Sequence, residues 1–263
     1  MILITFFIIF VVVFSNRQTT SALNETTRFV LKESNVRFAH MRCAEKHPDA
    51  RPFPDYPDMP ANYCYVYCLF YKLGLIDLRS RDLDLKKLQD VTEKFGFETV
   101  KSLPKFLSGR CQDYYKILVE CRQRYQDLYE FIFNEQSAKR TNNTGESTTV
   151  QCDNELHTSD NIELLDKPLL IQELKFVCIF ENFHYLDAYK RVDVKEIILS
   201  YEEAQALNPH SQEIIEDCVH RANALYKIND YGDMVLTLHK CLLRGSSDYL
   251  NVFGLRDENS RKY

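Results

Sequence analysis

The chain has 263 residues, with 33 Lys and Arg set against 38 Asp and Glu, a formal net charge of −5 and no basic tract. That balance gives no electrostatic basis for binding nucleic acid. Only 7 glycines occur, none in a phosphate-cradling loop, and there is no His-Glu-x-x-His or Gly-x-Ser-x-Gly signature, so neither an enzyme nor a cofactor is expected.

The chain opens on an apolar run, residues 2–14, with Thr5 its one polar residue, short for a membrane span and the right size for a signal-peptide core. Thr20-Ser21-Ala22 supplies small residues for cleavage, giving a signal peptide over 1–22; the weakly basic start leaves a signal anchor as the alternative. Asn24 and Asn142 head glycosylation sequons, in keeping with export. A secreted protein, not a membrane protein, is expected, and its nine cysteines read first as a disulfide framework with one left over.

A first helix is expected over residues 25–46, followed by a stiff, five-proline loop from His47 to Pro60. Next comes Cys64-Tyr-Val-Tyr-Cys68-Leu-Phe-Tyr-Lys-Leu-Gly74, a helix closed by its glycine. Two cysteines four apart share one helical face and cannot bridge each other, so each must reach a different element. Helical spacing continues over Asp84–Phe95, closed by Gly96, and over Leu103–Phe131, as one bent helix or two broken at Gly109. Apolar content then collapses over residues 134–151, which read as a linker. Helical patterns resume over 162–189, 194–207, 211–228 (with Ser211 as cap) and 231–243, with an apolar tail beyond. No period-two alternation appears, so the expectation is all-α: two stapled helical bundles, residues 23–133 and 152–263.

The spacings Cys43-(20)-Cys64-(3)-Cys68-(42)-Cys111-(9)-Cys121 resemble the insect odorant-binding proteins. That family bridges six cysteines first-to-third, second-to-fifth and fourth-to-sixth. The resemblance implies Cys43–Cys68 and Cys64–Cys121; the sixth cysteine, due near Glu130, is missing, which leaves Cys111 as a free thiol. Cys152-(25)-Cys178-(39)-Cys218-(22)-Cys241 matches the first, third, fourth and sixth positions. It implies Cys152–Cys178 and Cys218–Cys241.

Two such domains in tandem, with the phrase Lys72-Leu-Gly-Leu-Ile-Asp77, resemble the long salivary D-seven (D7) proteins of blood-feeding flies. Mosquito members tend to carry tryptophan and this chain has none, which points to a sand fly or related source. The resemblance implies a monomeric salivary scavenger of eicosanoids, cysteinyl leukotrienes and thromboxane-like lipids, held in the first domain and removed to oppose vasoconstriction, platelet aggregation and inflammation. Biogenic amines in the second domain, or carriage of odorants or pheromones, are the alternatives, with a surface-acting clotting inhibitor a third.

Tyrosine and phenylalanine at helical spacing are mostly core, but a stapled bundle tolerates a cavity, and tyrosine offers it an apolar face and a hydroxyl. Tyr65, Tyr67, Tyr71, Phe95, Phe97, Tyr115, Tyr125 and Phe131 form the pool of lipid-lining residues. Lys139 and Arg140 are either carboxylate partners at the mouth or solvated linker charges. For an amine, the family takes acids from the helix after the last cysteine; here Asp257 and Glu258 stand there, preceded by Asp248 and Tyr249, with Asp230 and Asp233 as other possibilities. Cys218, His220, His239 and Cys241 suggest a zinc site, but an oxidising compartment favours a disulfide, and no metal is expected.

Overall fold

A computed structural model describes residues 29–50, 59–103, 110–133, 146–158, 168–227 and 230–259. The expected signal peptide, Asn24, Asn142, Gly109, Lys139 and Arg140 lie outside these. Among the described residues the regular structure is eleven helices and three isolated β-bridges. Two hydrophobic cores form, one from residues between Leu31 and Phe133, the other from residues between Cys152 and Val252. No described helix is long and apolar enough to cross a membrane.

In the first bundle α1 is Glu33–Lys46 and α2 is Pro60–Lys72. Pro60 suits the first turn of α2, where its missing N–H has no helical partner to lose. Val66, Leu69 and Phe70 turn one face of α2 into the core at 0–1% exposure, each burial worth about 1.5–3 kcal/mol. Helix α3, Leu85–Phe95, starts on Asp84, whose carboxylate accepts from Lys87 N at 3.2 Å, and stops at left-handed Gly96. The long pattern from Leu103 resolves into α4, Cys111–Arg124, and α5, Gln126–Phe133. The break falls at Tyr125, whose backbone leaves the helical region to place a buried ring with its hydroxyl on Lys101 N (3.3 Å).

The second bundle comprises α6 (Thr148–Thr158), α7 (Pro168–Asn182), α8 (Val194–Glu203), α9 (Pro209–Asn223), α10 (Gly232–Gly245) and α11 (Tyr249–Asn259). Helix α6 starts inside the stretch read as linker, because its cap is tertiary: Asp257 of α11 accepts from Thr149 N at 3.0 Å. Helix α9 is capped by Asn208, with Ser211 as the reciprocal partner three residues on, so the expected start at Ser211 comes one turn late.

The two bundles repeat one turn in detail. Six residues past Cys68, Gly74 takes φ +68°; six past Cys178, His184 takes φ +59°. After each, the next residue's N–H returns to the helix (Leu75 to Phe70 O, Tyr185 to Phe180 O), and an aspartate folds the loop by accepting two backbone N–H groups. Asp77 does this for Arg79 and Ser80, and Asp187 for Tyr189 and Arg191. Asp84 and Asp193 then cap the following helix.

These turns also join the bundles. Tyr189 donates to Ile76 O at 2.8 Å, and His184 stacks on Phe38 with ring centroids 3.7 Å apart. A Cβ on Gly74 would sit 2.6 Å from the Ala188 Cβ, in a left-handed backbone that side chains strain. Gly74→Ala is therefore expected to destabilise by about 2–3 kcal/mol, read as a lowered melting temperature. Around the stack, Arg42 of α1 grips Glu196 of α8 through Nη2 at 2.7 Å and Nε at 3.1 Å, and Lys72 lies 3.3 Å from Asp193.

Bridges join Cys43 to Cys68, Cys152 to Cys178 and Cys218 to Cys241. Cys64 and Cys121, expected to bridge, do not; Cys64 lies instead with its sulfur 2.9 Å from that of Cys111. The reason is register. Cys111 opens α4 against the first turns of α2, whereas Cys121 is ten residues further along α4, about 15 Å at the helical rise. Cys64 cannot meet both.

Candidate ligand-binding site

The eight aromatic residues expected to line a lipid cavity divide by depth. Tyr65, Tyr125 and Phe131 belong to the buried core; Tyr67, Tyr71, Phe95, Phe97 and Tyr115 are half-buried against it. Tyr65 is committed: His40 donates from Nε2 to Ile132 O at 2.8 Å, so in the neutral ring Nδ1 accepts the Tyr65 hydroxyl, also at 2.8 Å.

The half-buried rings form three groups, not one wall. At the end of α3, Gly96 reverses the chain and Phe97 N bonds Thr92 O at 2.9 Å, which folds Phe97 back to stack on Phe95 at 5.5 Å. Both rings pack on Phe131 of α5, at 4.4 and 6.0 Å. Lys94 lies with its ammonium 5.3 Å from the Phe95 ring; burial and the like charge of Lys32 press its pKa below the usual value. This group offers apolar surface on the core with a cation beside it.

Tyr67 and Tyr71 form a second group on α2, with Tyr114 of α4 4.9 Å from Tyr67 and Tyr189 of the second bundle 5.6 Å from Tyr71. Burial holds the Tyr114 hydroxyl up at about 12, and it donates to Arg81 O at 2.6 Å. Tyr115 pairs with Tyr63 at 5.1 Å as the third. Lys94, Tyr63, Tyr114 and His40 were missed from sequence. The residue after Lys94 is a named ring, but nothing linear shows that the Gly96 turn folds Phe97 back onto it.

In the second bundle the amine set is occupied with structure. Tyr249 is buried with its hydroxyl 2.9 Å from His239 Nδ1, Asp257 caps α6, and Glu258 is exposed. Asp257→Ala should therefore cost about 1 kcal/mol of stability, as loss of a helix cap does, measured by thermal melting. Loss of serotonin binding at unchanged stability would instead return Asp257 to an amine site. The four residues of the zinc reading do not gather: Cys218 is bonded to Cys241, His239 to Tyr249, and His220 is exposed. An open cleft of about 420 Å³ runs between the start of α9 and the end of α10, past Asn208, Ser211, Arg244, Ser246 and Asp248. No phenylalanine or tyrosine lines it.

No family model matches the chain. Over 90 residues it is 36% identical to the long form salivary protein D7L3 of Anopheles gambiae, a match spanning 34% of this chain and 25% of that protein. Three solved structures share the fold across most of its length. They are a mosquito juvenile hormone-binding protein (TM-score 0.58, 14% identity, 88% of this chain and 90% of that one), AnSt-D7L1 (0.55, 16%, 90% and 90%), and AeD7 in complex with leukotriene E4 (0.56, 17%, 88% and 91%). The all-helical tandem of stapled bundles expected from the cysteine spacings is thus the fold observed. The chain thus shares its fold with two D7 proteins and, over a 90-residue stretch that spans a quarter of that relative, is similar to a long form salivary protein of Anopheles gambiae.

Proposed function

We propose that the chain is a secreted salivary scavenger that binds lipid mediators stoichiometrically in its first bundle and performs no catalysis. One observation carries the reading: Phe95, Phe97 and Phe131 stand together on the first core, two of them half-buried, with Lys94 alongside. A carboxylated hydrocarbon needs such apolar surface for its tail and a cation for its head. Two proteins of the same fold carry names that specify small lipid or hormone ligands, leukotriene E4 and juvenile hormone, and we extend that class to this chain. The eicosanoids are the subclass expected, their removal opposing vasoconstriction and platelet aggregation. Lys139 and Arg140 remain further proposed partners for the carboxylate.

Displacement of a fluorescent fatty acid from the full chain tests this, with leukotriene E4, a thromboxane analogue, a plain fatty acid and serotonin as competitors. The lipids should compete and serotonin should not. Phe97→Ala, which removes a half-buried ring, should weaken lipid binding about tenfold, the loss of part of one aromatic contact, with little change in melting temperature. Unchanged affinity in that variant would move the site away from this cluster.

A further inference from the structure

The first bundle holds an odd set of five cysteines, of which Cys43 and Cys68 are bonded. The remaining three are not equivalent. Cys64 and Cys111 are both half-buried, one on α2 and one opening α4, with their sulfurs 2.9 Å apart. Two sulfurs this near are closer than non-bonded atoms rest, and less than about 1 Å beyond a disulfide bond length. Cys121 is 5% exposed, ten residues along α4, and bonded to no cysteine.

We propose that Cys64 and Cys111 form a disulfide in the mature protein, the fourth bridge of the chain, and that Cys121 is its one free thiol. The bond needs only a small approach of side chains already in contact, with α2 and α4 staying in the register that packs the first core. Each thiol gives up a proton and together they give up two electrons as the S–S bond forms. A disulfide oxidant such as oxidised glutathione accepts both protons and both electrons and leaves as two thiols. The product ties α2 to α4 around a loop of 47 residues that contains α3. Such closure restricts the unfolded chain. The spare cysteine of a bundle that lacks its sixth thus takes the place of the expected partner. Burial holds the Cys121 thiol up at about 12, so it stays protonated and unreactive while the chain is folded.

The test is differential alkylation of the secreted full chain. Denatured without reduction, it should take up one mass tag, on the Cys121 peptide, and its digest should contain Cys64 and Cys111 peptides joined to each other. The native protein should take up none. Cys121→Ser should leave no taggable thiol after denaturation and keep its melting temperature within a few degrees. Cys111→Ser should melt roughly 5–10 °C lower, as loss of a long-loop bridge does in a chain this size. If Cys111→Ser is not secreted, the Cys121→Ser tag count still decides. A tag on Cys111 with Cys64 joined to Cys121, three tags on the wild-type chain, or two tags on Cys121→Ser would each overturn the proposal.

Discussion

Replacing Arg42 by methionine is expected to destabilise the chain by about 3 kcal/mol, at the lower end of the range for breaking a buried ion pair. Arg42 and Glu196 come from different bundles, and their side chains are 9% and 3% exposed. The guanidinium donates from Nε and Nη2 into one carboxylate, a planar fork that lysine does not reproduce. Without it Glu196 stays buried with Lys72, 3.6 Å away, as its remaining cation. Lys72 softens the loss but cannot supply the second pair of hydrogen bonds. Burial already pushes the Glu196 carboxyl above the usual carboxylate range, against the pull of Arg42. Arg42→Met with Glu196→Leu should recover most of the stability, since neither charge then has to be desolvated. Melting temperatures of the two single variants and the double variant read the coupling directly. A single-variant loss below about 1 kcal/mol, the size of an exposed pair, would mean that this contact does not hold the bundles together.

Acid should loosen the same junction through His184. The ring is buried and stacked on Phe38, with Arg256, Arg42 and Lys72 as neighbouring cations; burial first, and those charges second, hold its pKa down at about 3. Arg256 is itself fixed beside it, donating to Phe183 O at 3.1 and 3.3 Å and to Glu203 at 3.1 Å. A depressed histidine favours the folded state while neutral. Its contribution is complete above the unfolded value near 6.5 and is lost as pH falls from there toward 3. Between pH 6.5 and 4 the expected loss is about 3 kcal/mol, at roughly 1.36 kcal/mol per pKa unit. Glu196, with its raised carboxyl, changes in the opposite sense, so the informative quantity is the difference between the wild type and His184→Asn. Asparagine tolerates the left-handed backbone and does not titrate. Chemical denaturation at pH 7 and pH 4 should show the wild type losing more stability than the variant. Equal losses would show that His184 does not govern the acid response.

The sequence made the helices legible because their punctuation is local. Gly74, Gly96 and Asn208-Pro209 end or open helices by their own backbone preferences, and the cysteine spacings carry the two-bundle plan. What stayed hidden was supplied from a distance. Helix α6 is capped by a carboxylate 108 residues away, and the break between α4 and α5 is set by where the Tyr125 ring is buried. His184 shows how near some signals lay: it stands six residues past Cys178 as Gly74 stands past Cys68, yet only its left-handed backbone reveals the equivalence. Among the site residues, Phe95, Phe97 and Phe131 were named and do meet, whereas Tyr65 was named for a cavity and serves a core hydrogen bond. Residue type marks a ring as available; only the fold tells which of its atoms is already engaged.

Calorimetric titration of the intact chain with leukotriene E4 tests the lipid-scavenging reading most directly. Because the bundles share a buried ion pair and a ring stack, the whole chain is the proper sample. Saturation at one equivalent, with a dissociation constant below about 1 μM and a negative heat-capacity change from burial of the apolar tail, is the expected result. Absence of saturable heat with leukotriene E4, with the thromboxane analogue and with plain fatty acid alike, at micromolar folded protein, would contradict it.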